Sequence, residues 1–130
     1  KTLRFISNSN LKIKKKLKKF KIKKKNKIKK LSKNKNCLIF CAGAYSEIVL
    51  KICNSLKIKV EYIIDNNKYY YNKKIHSKTI KDMPFLFKNL KKFLNYQILI
   101  CNSKFSDFLA IKKQLLAIGF QRQDLKHINI

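Results

Sequence analysis

The sequence lacks the side-chain sets on which catalysis and metal binding usually depend. Its 130 residues contain six acidic side chains and two histidines, His76 and His127, all dispersed along the chain. Paired carboxylates or a Ser/His/Asp set cannot be assembled from so few scattered groups. The four cysteines form no C-x-x-C pair, and neither histidine lies at metal-ligand spacing from them. The sequence therefore predicts no catalytic centre and no metal site.

Long apolar runs are also absent. No stretch approaches the ~20 apolar residues of a membrane span, and residues 1–36 contain no apolar segment of the kind found in secretory signals. Three of the four cysteines lie in short apolar runs, which indicates buried free thiols in a reducing compartment. We therefore expect a cytoplasmic protein without a membrane span, or one of an organellar matrix if it works with RNA.

Glycine, proline and tryptophan are scarce, whereas lysine, asparagine, isoleucine and tyrosine are abundant. An A/T-biased genome gives this composition through its codons. The net charge is +27, and residues 1–36 hold 17 of the 33 Lys/Arg and no acid. The same excess is typical of a basic arm that binds nucleic acid or another polyanion. From the sequence alone, the lysine excess has two open explanations: codon bias and a selected polyanion-binding site.

The lysine-rich arm, residues 1–36, carries a helical pattern. Its apolar residues fall on one stripe of a helix spanning about residues 10–32, and this stripe predicts packing against the following domain. The stripe consists of Ile13, Leu17, Phe20, Ile28 and Leu31. The lysines on the sides and back of this helix are the predicted polyanion-binding residues: Lys15, Lys16, Lys18, Lys19, Lys23, Lys25, Lys29 and Lys30.

Residues 37–130 alternate between strand and helix patterns. Strands are predicted at 37–42, 58–65, 78–80, 96–101 and 125–130, and helices at 45–56, from Asp82 to about Leu94, and at 107–118. Such alternation predicts an α/β domain, a small Rossmann-like parallel sheet with helices on both faces, preceded by the basic amphipathic helix.

Ligands of such sheets bind beyond the carboxyl ends of the strands. The predicted ligand-binding residues are Ala42, Gly43, Ala44, Tyr45, Ser46, Asp65, Asn66, Asn102 and Ser103. Gly43 would let a phosphate approach the backbone, and Ser46 would add a hydroxyl donor. Asp65 either binds a ribose or only begins a turn. Cys41 replaces the first glycine of G-x-G-x-x-G, and Glu47 adds a negative charge, so we expect either a site for a ligand smaller than NAD or a vestigial site.

Tyr69, Tyr70 and Tyr71 follow the second predicted strand of the domain. Such a cluster could stack on a nucleobase, although it is more often a lid or a contact for a partner.

The stretches "LIFCAGAYSEIVLKI", "VEYIIDNNK" and "NYQILICNSKFSDFLAIKKQLLAIGF" resemble small Rossmann-like domains of bacterial surface-polysaccharide enzymes. Examples are the N-terminal nucleotide-sugar domain of hexapeptide-repeat sugar N-acetyltransferases and similar modules of sugar methyltransferases and glycosyltransferases. The resemblance covers about residues 28–130. Ala42-Gly43 match the last two positions of the family's G-A-G, and Ile64-Asp65-Asn66 match its F-I-D-[ND]. Cys41 departs from the first glycine, and a further common glycine is replaced near Tyr71-Asn72.

This resemblance implies a module, not catalytic on its own, that binds a nucleotide sugar and works with a partner enzyme of sugar modification. The histidine used by the acetyltransferases belongs to their hexapeptide-repeat domain, which these 130 residues do not contain. The alternative function is that of a basic RNA-associated protein in a ribonucleoprotein such as a ribosome, in which the lysine-rich helix contacts RNA.

Overall fold

The structure, a computed structural model, describes residues 2–3, 5, 15, 18–19, 21, 25–30, 35–102 and 104–128. The strands are β1 (Thr2–Leu3), β2 (Cys37–Phe40), β3 (Val60–Ile64), β4 (Lys74–Ile75), β5 (Lys78–Lys81), β6 (Gln97–Ile100) and β7 (Leu125–His127). The α-helices after β2 are α1 (Ala44–Ser55), α2 (Met83–Lys88), α3 (Leu90–Phe93) and α4 (Phe105–Ala117). Short 3-10 helices cover Lys68–Tyr70 and Arg122–Asp124.

The strands form one sheet in the order β1-β4-β5-β3-β2-β6-β7. Neighbouring strands are parallel, except that β4 and β5 form an antiparallel hairpin. Every residue of β2 and β6 is buried, as expected for central parallel strands covered on both sides. The predicted α/β fold with a Rossmann-like sheet is therefore confirmed.

Alternate residues of the central strands supply two separate cores. On the first face, which we call the α1 face, Ile39 packs with Ile48 and Ile52 of α1. On the opposite face, the α4 face, Leu38 packs in one cluster with side chains of α2, α3 and α4, including Leu115. The apolar pattern of the sequence predicts that Ile48, Ile52, Ile100, Leu115 and Leu116 lie in the core. The first four are buried, whereas Leu116 is only partly buried.

One predicted helix is divided in the structure. Asp82 caps α2 as expected, because its Oδ1 accepts a hydrogen bond from Phe85 N at 3.0 Å and Pro84 lies in the first turn. The pattern predicted a single helix to about Leu94, but α2 ends at Asn89 and α3 begins immediately after it. The Asn89 side chain donates to Phe85 O at 2.8 Å, so an asparagine hydrogen bond with the preceding turn marks the break.

The start of the chain also contributes to the sheet. β1 pairs with β4, and these strands of two residues each were not predicted. Residues 15, 18–19, 21 and 25–29 are helical, and Ile28 is fully buried in the core of the α1 face. Lys27 Nζ donates to His127 O of β7 at 2.6 Å. The described part of the lysine-rich segment therefore docks on the sheet through Ile28, while Ile13, Leu17, Phe20 and Leu31 of the predicted stripe lie outside the described residues.

A membrane-spanning helix is not found in the described part of the chain, where no helix combines the necessary length with the necessary apolar character.

Candidate functional site

The direction of the strand order reverses at β2. The chain passes from β2 to β3 and β5 on one side, and then crosses the sheet to β6 and β7 on the other. In open α/β sheets, this reversal leaves a crevice beyond the carboxyl ends of the two strands that flank it, here β2 and β6.

A cavity of about 690 Å³ lies at this point, and we call it the crevice. Its loop residues are Cys41, Asn66 and Asn102, which follow β2, β3 and β6 respectively. The rest of its lining comes from α4: Asp107, Ala110, Ile111, Lys113, Gln114 and Ala117. Of the predicted ligand-binding residues, Asn66 and Asn102 line this cavity. Residues 42–46 and Asp65 do not line it, but they are adjacent in sequence to the lining residues Cys41 and Asn66. Ser103 lies outside the described residues.

The α4 residues of the crevice were not among the predicted site residues. Asp107, Ala110, Gln114 and Ala117 follow one another at helical spacings of three or four, and Ile111 lies three residues before Gln114, so they share one face of α4. That periodicity was present in the sequence, but only the packing of α4 shows that this face borders the crevice.

Cys41 has a backbone conformation typical of glycine. Its φ is 82°, in the left-handed region that side chains with a Cβ rarely adopt. The turn after β2 therefore keeps the shape of a glycine turn at the position where G-x-G-x-x-G has its first glycine. Cys41 N also donates to Ile64 O at 2.8 Å, which fixes the residue against β3.

At this positive φ, glycine should stabilise the fold more than alanine, which is the reverse of their usual order. We expect the Cys41→Gly variant to be more stable than the Cys41→Ala variant by about 1 kcal/mol, because both remove the thiol but only alanine keeps a Cβ at positive φ. Urea denaturation of the two variants measures the difference. At an ordinary φ the alanine variant would be the more stable by about 0.5–1 kcal/mol, and that result would refute the strained turn.

Asp65 connects two turns at the carboxyl edge of the sheet. Its Oδ2 accepts a hydrogen bond from Ala42 N at 2.7 Å, and its Oδ1 accepts one from Asn67 N at 2.7 Å. Both carboxylate oxygens thus hold backbone N–H groups. These contacts give Asp65 a structural role in the turns after β2 and β3, the second of the two interpretations that the sequence left open.

Gly43 and Ser46 form the start of α1. The Ser46 hydroxyl accepts from Gly43 N and donates to Gly43 O, both at 2.8 Å, and its side chain is buried. The hydroxyl therefore caps α1 and already has two partners in the turn. The backbone of Gly43 is extended, with φ 164°, and a Cβ built on it meets no atom within 4 Å. The space above Gly43 is thus open to a ligand.

Glu47 carries the negative charge that the sequence placed in the first turn of α1. Its carboxylate is buried, and Oε2 accepts a hydrogen bond from Phe5 N at 3.0 Å. Oε1 lies 3.7 Å from His76 Nε2 of the β4–β5 hairpin. The Glu47 carboxylate therefore contacts two residues that lie beside β1 and β4, namely Phe5 and His76.

Asn102 lines the crevice and has a buried donor with no partner among the described residues. His127 Nε2 lies 3.2 Å from Asn102 O and 2.9 Å from Asn102 Oδ1. Because the backbone oxygen can only accept, Nε2 carries the proton, and the Asn102 side chain presents Oδ1 to it. The imidazole ring is held by stacking on Phe108, with ring centroids 4.2 Å apart. The remaining Asn102 atom, Nδ2, is buried and has no hydrogen-bond partner among the described residues.

An unsatisfied buried donor costs about 1–3 kcal/mol, and a ligand that supplied an acceptor there would recover part of that cost. Asn102 is therefore the residue of the crevice that most directly indicates a ligand.

The cysteines are free thiols, as predicted. Burial raises the pKa of Cys37 to about 11 and of Cys41 and Cys53 to about 12, and it raises the pKa of Cys101 well above its ordinary value. Thiols with such pKa values stay protonated near neutral pH and are weak nucleophiles. Within the ranges that the structure describes, no cluster of His, Cys, Asp and Glu side chains could hold a metal ion.

The predicted polyanion-binding lysines are exposed wherever the structure describes them. These residues are Lys15, Lys18, Lys19, Lys25, Lys29 and Lys30. Lys16 and Lys23 lie outside the described residues.

Comparison with known proteins gives no relative: no family model, curated protein or solved structure matches the chain.

Proposed function

We propose that this protein is a Rossmann-like module, not catalytic by itself, that binds a nucleotide sugar in the crevice between β2 and β6. The observation that carries the proposal is a cavity at the point where the strand order reverses, lined by Asn102, whose buried Nδ2 has no hydrogen-bond partner among the described residues. An acceptor on the ligand, such as a phosphate, hydroxyl or base oxygen, would take this hydrogen bond.

The size and chemistry of the crevice support a ligand of this class. Its volume of about 690 Å³ is within the range of ~300–1,000 Å³ typical of small-molecule sites. Lys113 offers a cation to a diphosphate, and Asn66 and Gln114 offer donors and acceptors to ribose or sugar hydroxyls. The open space above Gly43 lets a ligand approach the backbone at the start of α1.

One residue of the lining favours a nucleotide sugar over NAD. A dinucleotide site has glycine at the first position of the turn after its first strand, where the backbone comes close to the pyrophosphate. Here that position is Cys41, which lines the crevice.

Surface-carbohydrate biosynthesis is the setting we propose for this binding, with a partner enzyme that acts on the bound sugar. The support for the setting is the sequence resemblance over residues 28–130. The support for a partner is the chemistry of the lining residues of the crevice. They include one carboxylate, Asp107, and one thiol, Cys41, whose raised pKa of about 12 keeps it protonated and weakly nucleophilic.

Isothermal titration calorimetry with UDP-glucose and with NAD tests the proposal. We expect wild type to bind UDP-glucose more tightly than NAD, and the Gly43→Val variant to bind UDP-glucose at least about tenfold more weakly, because a branched side chain blocks approach to the backbone. The backbone at residue 43 is extended, and a Cβ there meets no atom within 4 Å, so we expect thermal unfolding to be little changed. Equal heats of UDP-glucose binding by wild type and by the Gly43→Val variant would contradict the proposal, as would tighter binding of NAD than of UDP-glucose by wild type.

The second candidate function is that of an RNA-associated protein. The observation that favours it is the exposure of the lysines on the segment that Ile28 anchors to the α1 face. A docked helix with exposed cations presents a fixed positive surface to a phosphate backbone.

A further inference from the structure

A second concave site lies at the end of the sheet opposite the crevice, and we call it the lysine pocket. Its volume is about 440 Å³. It is built where α1 ends, where β3 begins and where the β4–β5 hairpin turns. The first residues of β3 and β5, Val60 and Lys78, line this pocket. Parallel strands place their amino ends at one edge of a sheet and their carboxyl ends at the other. The lysine pocket and the crevice therefore lie at opposite edges.

The walls of the lysine pocket are strongly cationic. Four of its ten lining residues are lysines, namely Lys51, Lys57, Lys59 and Lys78, and none of the ten is acidic. No ion pair joins any of these four lysines to an acid in the described part of the protein. The floor is apolar, since Leu50, Ile58 and Val60 are buried. Four ammonium groups around one concave surface repel each other and attract an anion.

The lysines are not needed to complete the end of α1. Lysine side chains often hydrogen-bond to the last carbonyl groups of a helix. Here Lys57, with φ 59°, ends α1 in the left-handed conformation, and its N–H donates to Asn54 O at 3.2 Å. Ile58 N donates to Cys53 O at 2.8 Å. These terminal carbonyl groups thus have backbone donors, which leaves the ammonium groups available to a ligand.

We infer that the lysine pocket binds a compact polyanion with at least two phosphate groups, through charge-assisted hydrogen bonds from its lysines. Its lining residues include no Phe, Tyr or Trp, and the imidazole of His76 lies beside Glu47, with Nε2 3.7 Å from Oε1. Recognition therefore depends on phosphate charge more than on stacking with a base. This site is separate from the proposed nucleotide-sugar crevice and does not depend on it.

Isothermal titration calorimetry of the full chain with inorganic pyrophosphate, at ~150 mM salt, tests the inference. We expect the double variant Lys51→Gln/Lys59→Gln to bind pyrophosphate at least about tenfold more weakly than wild type, because it removes two charge-assisted donors. The matched control is Lys88→Gln/Lys91→Gln, which removes the same charge from exposed positions on α2 and α3. We expect its affinity to change less than about twofold, as for distant surface charges at this salt.

Equal losses in the two double variants would show a general charge effect and overturn the inference, as would a lack of binding by wild type. The Gly43→Val variant distinguishes the two sites. If it loses pyrophosphate binding while Lys51→Gln/Lys59→Gln keeps it, the anion occupies the crevice, and the lysine pocket is refuted without harm to the proposed function.

A competition experiment identifies the source of the phosphate groups. If a short single-stranded RNA displaces pyrophosphate from wild type and binds the Lys51→Gln/Lys59→Gln variant more weakly than wild type, the pocket is supported as a contact for an RNA backbone. If pyrophosphate stays bound in excess RNA, the pocket is supported as a site for a small diphosphate.

Discussion

Replacing Leu115 by alanine lowers the free energy of unfolding by about 2–5 kcal/mol. Leu115 of α4 is completely buried in the core of the α4 face, with Phe93, Phe108 and Phe120 in the same cluster. Truncation removes apolar contacts and leaves a cavity that the surrounding rings fill only in part. Urea denaturation followed by circular dichroism measures the loss.

Leu109 of the same helix provides the matched control. Its side chain is 46% exposed, so Leu109→Ala removes the same atoms with little change in burial. We expect this variant to lose less than about 1 kcal/mol. A loss below about 0.5 kcal/mol for Leu115→Ala, or equal losses at the two positions, would show that α4 does not pack on the sheet through this face.

Binding of RNA to the lysine-rich segment should fall steeply with salt. A protein that makes several phosphate contacts loses about 10³–10⁵-fold in affinity between ~50 and ~200 mM salt, because each contact releases counterions. The exposed lysines of this segment are contacts of that kind. We therefore expect fluorescence anisotropy with a labelled single-stranded RNA to show binding at ~50 mM salt and almost none at ~200 mM.

A lysine variant tests whether this segment carries the effect. Replacing Lys15, Lys18 and Lys19 by glutamine should reduce the slope of log affinity against log salt by about 2, since each phosphate contact contributes ~0.7 for a single strand. Retention of one defined RNA at ~200 mM salt would require base contacts or stacking in addition to charge. That outcome would favour the RNA-associated function over the nucleotide-sugar module.

Much of the fold could be predicted from local sequence patterns. The buried run at β2, the amphipathic pattern of α1 and the β-branched run at β3 each agree with the observed element to within a few residues. These elements form because pattern and burial coincide along a continuous stretch. β1 and β4 have two residues each, too few to show a period, and they are strands only because they pair with each other and β4 pairs with β5.

The site was less predictable, because its contacts join distant parts of the chain. The order of strands and helices indicated the edge of the sheet where a crevice would lie, and Asn66 and Asn102 of the predicted residues line the cavity there. The sequence could not show that Asp65 reaches Ala42 N, or that His127 contacts Asn102 Oδ1 while Nδ2 has no partner in the described part of the chain. Both contacts depend on the register of neighbouring strands, which local patterns do not specify.

From the sequence, Cys41 could be interpreted only as a replacement of the first glycine of G-x-G-x-x-G. Its φ of 82° shows that the turn keeps the conformation of a glycine turn. The substitution therefore changes the wall of the crevice more than the course of the backbone, and the binding of a phosphate-bearing ligand near Gly43 stays a reasonable proposal.

The central claim is that the crevice between β2 and β6 binds a nucleotide sugar through Asn102. The most direct measurement is a titration of the ¹⁵N-labelled full chain with UDP-glucose, followed in two-dimensional NMR spectra by the Asn102 side-chain amide and the Gly43 backbone amide. We predict that both signals move in a saturable way, because Nδ2 gains an acceptor and the ligand lies above Gly43. Saturating UDP-glucose that leaves both signals unmoved would contradict the claim.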